Sequence, residues 1–159
     1  MKSAEEREQP KGRVLALDLG AKRVGVAVSD ELQISISRLR PILRTNWKQL
    51  LRDVTQTVQQ QNAKALVVGF PLSLDGSKGS AAKSVQQTAG RFAQSLLIPV
   101  YLQDERLTSV AAAEQLRAAG HNPKEVQEMI DSEAAAVILS DFLGSRGPKT
   151  PVSVSSLGN

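Results

Sequence analysis

The residues of this chain best suited to chemistry are carboxylates. Asp18 closes the apolar run 14–17 in "VLALDLGAKR", Glu105 follows "VYLQD", and Asp131 stands in "MIDSEAAAVIL". Alternatives are few, because the 159 residues include no Cys and a single His, His121. That removes thiolate nucleophiles and thiolate zinc sites, and it argues against His-rich metal sites and a Ser-His-Asp triad. Burying an unpaired carboxylate is costly, so an acid ending an apolar strand is either a turn residue at the rim or a placed functional group. Taken singly, Asp18 also suits the start of a turn at Gly20, and Glu105 an exposed pair with Arg106. Asp131 also suits a helix N-cap, but Val126, Ile130, Ala134, Val137 and Ile138 keep one helical stripe running through its position.

Gathered together, three carboxylates repel unless a cation joins them. The cation that fits is Mg²⁺ or Mn²⁺, one ion or two, since these prefer oxygen ligands in octahedral shells completed by water and phosphate. Two such ions about 4 Å apart can activate a water and stabilise the leaving oxygen of a phosphodiester. Lys22, Arg23, Lys78 and Arg106 are expected to flank the edge where the acids meet and suit phosphate contacts. The net charge of +4 is compatible with an anionic partner. With three Phe, one Tyr and one Trp in the chain, recognition of backbone and shape is expected rather than a base-stacking platform. "DGSKGS" lacks the spacing of a Walker A loop, although its glycines and the helix start after it offer backbone donors.

The elements that must position these groups follow from periodicity. The run 14–17 is continuously apolar, as a strand buried on both faces should be. Val24, Val26 and Val28 alternate with small residues, and "ISIS" alternates again, so the opening is expected to be an antiparallel three-stranded meander. Pro41 makes its third strand an edge or a bulged strand. Trp47, Leu50, Leu51, Val54 and Val58 fall on one helical face. "ALVVGF" is a buried strand, Val85, Ala89, Phe92 and Leu96 mark a second helix, and 99–103 a last strand. A helix follows from Thr108 or Ser109 to Gly120, and another opens at Asn122-Pro123 and ends near Leu143. Hairpins first and β-α alternation afterwards predict an α/β domain with a mixed sheet, its first strand central and parallel to the two later ones. The C-terminal ends of parallel strands share the edge where open α/β sheets place their sites, which would make neighbours of Asp18 and Glu105. Asp104 should face the opposite side of the sheet.

Residues 1–12 and 145–159 lack periodicity and are expected to be mobile tails around a domain at 13–144. Removing 1–11 and 150–159 should then hardly change the melting temperature. No apolar run approaches the ~18 residues of a membrane span, and the N-terminus has no apolar signal core, so a cytoplasmic protein without membrane contact is expected.

Four stretches, "LALDLGAKRVGVAVSD", "VVGFPLSLDGSKGSAA", "PVYLQDERLTSVAAAEQL" and "DSEAAAVILSDFL", resemble in the right order the YqgF (RuvX) family of the RNase H-like superfamily. Its members are described as pre-16S rRNA nucleases and earlier as Holliday junction resolvases. The resemblance implies an RNase H-like fold with a five-stranded mixed sheet, order 3-2-1-4-5, and helices on both faces. It implies a catalytic and metal-binding set of Asp18, Glu105 and Asp131, with the second acid drawn from the fifth strand's "DER" where established junction resolvases take theirs from the fourth. The function it implies is a metal-dependent nuclease, endo- or exonucleolytic, that acts on structured RNA in ribosome biogenesis, at the 5′ end of pre-16S rRNA, as a monomer or weak homodimer. Junction resolution by a dimer and a non-catalytic nucleic-acid-binding module are the alternatives. An actin-like kinase shares the D-x-G turn but needs two such domains.

Overall fold

The computed structural model describes residues 9–72, 75–105, 120, 123–145 and 149–153, with the backbone alone given for 123–132. Strands β1 (Val14–Leu19), β2 (Arg23–Ser29) and β3 (Ile36–Leu43) are followed by helix α1 (Trp47–Gln61), strand β4 (Ala65–Phe70), helix α2 (Ser80–Ser95), strand β5 (Val100–Asp104) and helix α3 (Pro123–Gly144). The helix expected near 108–120 lies outside the described residues. The sheet order is β3-β2-β1-β4-β5, with β1 antiparallel to β2 and parallel to β4, which is parallel to β5. This is the predicted mixed sheet, with the first strand at its centre.

Period-two alternation along the central strands divides the core. Leu15, Leu17, Leu66 and Val68 pack on one face with Leu50 and Val54 of α1 and Val85, Ala89 and Phe92 of α2. Val14, Ala16, Ala65, Val67 and Tyr101 pack on the other, under Ala135, Ala136, Ile138, Leu139 and Phe142 of α3. Both faces are therefore covered, which explains why β1 and β4 read as continuous apolar runs. The ends of α1 are set by their caps. The Asn46 side chain accepts from the Gln49 N–H at 2.9 Å, and Asn62 closes the helix in the left-handed region at φ 53°. Pro41 is accommodated as expected: β3 is an edge strand, and its register with β2 shifts between Val24 and Val26.

The C-terminal stretch differs from the expectation of a free tail. The Val152 N–H donates to the Val100 carbonyl at 2.6 Å, the Val152 side chain packs against the core beneath α1 and α2, and the Lys149 ammonium lies 4.8 Å from the centre of the Phe142 ring. Residues 149–153 thus lie against the outer edge of β5, satisfying a backbone acceptor and covering an edge that would otherwise be open. Deleting 150–159 is accordingly expected to cost about 1–2 kcal/mol, from one hydrogen bond and a half-buried Val. In a thermal melt this lowers the melting temperature by a few degrees, and an unchanged melt would show that the contact contributes nothing.

Candidate active site

The site begins with the turn after β1. The Gly20 N–H donates to the Asp18 carbonyl at 3.1 Å and to the Arg23 carbonyl at 3.0 Å. A Cβ at position 20 would sit 2.5 Å from that Arg23 oxygen, so glycine is required by close backbone approach. Arg44, just past β3, ties the turn down: its N–H donates to the Lys22 carbonyl at 2.9 Å and its Nη1 to the Gly20 carbonyl at 3.0 Å. A turn laced in this way gives the backbone of Asp18 little freedom. The role of Arg44 had no signal in the sequence beyond its charge.

Alternation sends Asp18 to the same face as Val14 and Ala16, the face beneath α3. Glu105 follows β5 at the same parity as Tyr101, and its N–H donates to the Phe70 carbonyl at 3.1 Å, which continues the β4–β5 pairing by one residue. The two side chains meet. Burial, the Asp18 charge, a hydrogen bond with Asp18 and the Asp104 charge, in that order, push the Glu105 carboxyl up to about 8. Two carboxylates can share a hydrogen bond only if one carries a proton, and here Glu105 holds it at neutral pH.

The expectation that Asp18 and Glu105 become neighbours is thus met. Asp131 falls inside α3, two helical turns before Ile138, a residue of the same α3 that packs on this face; its side chain lies outside the described residues. Among the described residues no group of three or more acids or histidines gathers into a metal cluster. Asp104 is in register with Phe70, whose ring packs on the α1/α2 face, so alternation turns Asp104 away from the acid pair.

The cations are distributed unevenly. Lys22 is exposed and Arg23 half-buried in and after the β1–β2 turn, at the same sheet edge as the acids. Lys78 donates to Gln86 Oε1 at 3.3 Å and lies 5.9 Å from the centre of the Phe70 ring, which places it toward the α1/α2 side of that edge. Arg106 lies outside the described residues. Sequence reasoning overlooked Gly69, the β4 residue of this face that lies between the strands carrying the two acids; the only signal was a glycine inside an otherwise apolar strand.

An oxygen-only pair in which burial and the partner's charge keep one carboxyl protonated is a donor set short of positive charge, and it fits a hard divalent cation. Among the described residues, no helix is long and apolar enough to cross a membrane.

Comparison with known proteins shows the family and the fold. The family model RuvX, described as Holliday junction resolvase, matches residues 12–145. A protein of Gloeothece citriformis is 42% identical over 132 residues, covering 83% of this chain and 87% of its own. One of Synechococcus sp. is 39% identical over 129 residues, covering 81% and 87%. Both carry the name "Putative pre-16S rRNA nuclease". Among solved structures, T. thermophilus RuvC in complex with Holliday junction substrate superposes with a TM-score of 0.54 at 15% identity, over 86% of this chain and 99% of that one. At that identity the likeness concerns the fold, which is RNase H-like.

Proposed function

Because the chain belongs to the RuvX family, a nuclease family, we propose that it hydrolyses phosphodiester bonds in structured RNA, with the 5′ end of a 16S rRNA precursor as substrate. The observation that carries this reading is the hydrogen-bonded pair of Asp18 and Glu105 on the sheet face beneath α3. Asp18, Glu105 and Asp131 are the catalytic acids, and together they would hold one or two Mg²⁺ or Mn²⁺ ions. Such ions, when bound, supply Lewis-acid activation of a water and charge stabilisation of the leaving oxygen. Glu105 must give up its proton before the pair can act as a ligand, so cation binding is linked to proton release. Lys22, Arg23, Lys78 and Arg106 contact phosphates and hold the strand in register over the acids. The protein works in the cytoplasm, as a monomer or weak homodimer.

The description of the matching family favours a second reading, resolution of DNA junctions, which needs a dimer that presents two sites to opposed strands. The test incubates the purified protein with a 16S rRNA precursor fragment and with a four-way DNA junction, each with Mg²⁺, Mn²⁺ or chelator. Cleavage of the RNA only when metal is present, lost in Asp131→Asn, is the expected outcome. Cleavage of the junction alone would replace this reading with the second, and binding without cleavage of either would make the protein a binding module.

A further inference from the structure

Strand β4 lies between β1 and β5. The strands that carry Asp18 and Glu105 are therefore two strand spacings apart, about 10 Å, and yet the two side chains share a hydrogen bond. Asp is short, so the longer Glu105 side chain must cover most of that gap by lying flat over β4. What β4 presents beneath it decides whether it can.

The residue at that point is Gly69. It follows Val68, the register partner of Leu17, and it pairs with Gln103, two residues before Glu105. A Cβ at position 69 would lie 2.6 Å from Glu105 Oε2, 2.9 Å from Glu105 Cδ and 2.5 Å from Ile138 Cδ1 of α3. All three separations are shorter than real Cβ atoms tolerate. Gly69 sits within an ordinary strand, so the demand for glycine is one of space.

We propose that Gly69 is a positioning residue for the acid centre: its missing side chain is the slot in which the Glu105 carboxylate lies to reach Asp18. The inference rests on reading that pair as the cation-binding and cleaving centre. Any side chain at 69 lifts Glu105 off β4 or pushes Ile138 into the α3 interface. The first effect separates the two carboxylates; the second only loosens packing.

These effects can be read apart. The experiment compares wild type, Gly69→Ala, Ile138→Val and the double variant Gly69→Ala/Ile138→Val in three measurements: thermal melting, Mn²⁺ binding by calorimetry without nucleic acid, and cleavage of the RNA precursor fragment. Ile138→Val removes the Cδ1 atom that the new methyl would strike. Gly69→Ala is expected to melt lower, and to bind Mn²⁺ and cleave about 10- to 100-fold more weakly, the usual loss when a group that orients a metal ligand is disturbed. The double variant should regain melting temperature and keep both other losses. Recovery of Mn²⁺ binding and cleavage together with stability would overturn the proposal and leave Gly69 as a packing residue for Ile138. Wild-type cleavage rates in Gly69→Ala would overturn it as well. Should wild type bind Mn²⁺ without cutting RNA, the nuclease reading fails, while weakened Mn²⁺ binding in the double variant still supports the slot.

Discussion

Asp18→Asn protein is expected to fold with a melting temperature at or above that of the wild type, and to cleave RNA about 100- to 1,000-fold more slowly, the usual loss when one preorganised group is taken from a charged transition state. Asn has the size of Asp and can still hydrogen-bond, so the turn held by Gly20 and Arg44 has no reason to change. The negative charge is lost, and with it a ligand for a divalent cation. Removing that charge also relieves Glu105 of the second largest influence acting on its carboxyl, which is why stability should be kept or improved. Binding of RNA without metal should persist or strengthen, because one charge facing the phosphates is gone. Cleavage rate and salt-dependent binding are measured on the same preparation. Cleavage at the parent's rate would return Asp18 to the role of a turn residue, and loss of folding would make it structural.

The second large effect is on stability against pH. The Glu105 carboxyl sits at about 8 in the folded protein against an ordinary value of 4.5, so between those values the folded state holds a proton that the unfolded chain has released. Stability then falls as pH rises. Its contribution is complete below the unfolded value and is lost as pH passes through the folded one, and the total is of the order of a few kcal/mol. In chelator, melting temperature should decline from pH 5.5 to pH 8.5. Glu105→Gln, which keeps the shape and a donor toward Asp18 but cannot ionise, should flatten this decline and melt above wild type at the alkaline end. Asp141, whose carboxyl burial also pushes up, is present in both proteins, so whatever it contributes cancels in the comparison. Added Mg²⁺ should raise the wild-type melt most at high pH, since it takes the place of the proton, and should do little for Glu105→Gln. Equal slopes for the two proteins would show that burial and Asp18 do not raise the Glu105 carboxyl.

By itself the sequence determined the described elements and their order, and it singled out Asp18 and Glu105 as acids at strand ends. Valines at alternate positions, an unbroken apolar run ahead of Asp18 and leucines at helical spacing are local patterns, because a two-residue or 3.6-residue period reports which side of one element meets the core. Parallel strands bring their ends to one edge, so the meeting of Asp18 and Glu105 was also legible. Only the tertiary structure decided how they meet. With β4 between them, contact depends on the absence of a side chain at Gly69 and on the place of Ile138 above it, and the strand carrying Gly69 is separated in the chain from both of the residues it admits. The same holds for Arg44 on the Gly20 carbonyl and for Val152 on the edge of β5. Each joins segments far apart in sequence through a single hydrogen bond or a few ångströms of clearance, and no periodicity records a contact of that kind.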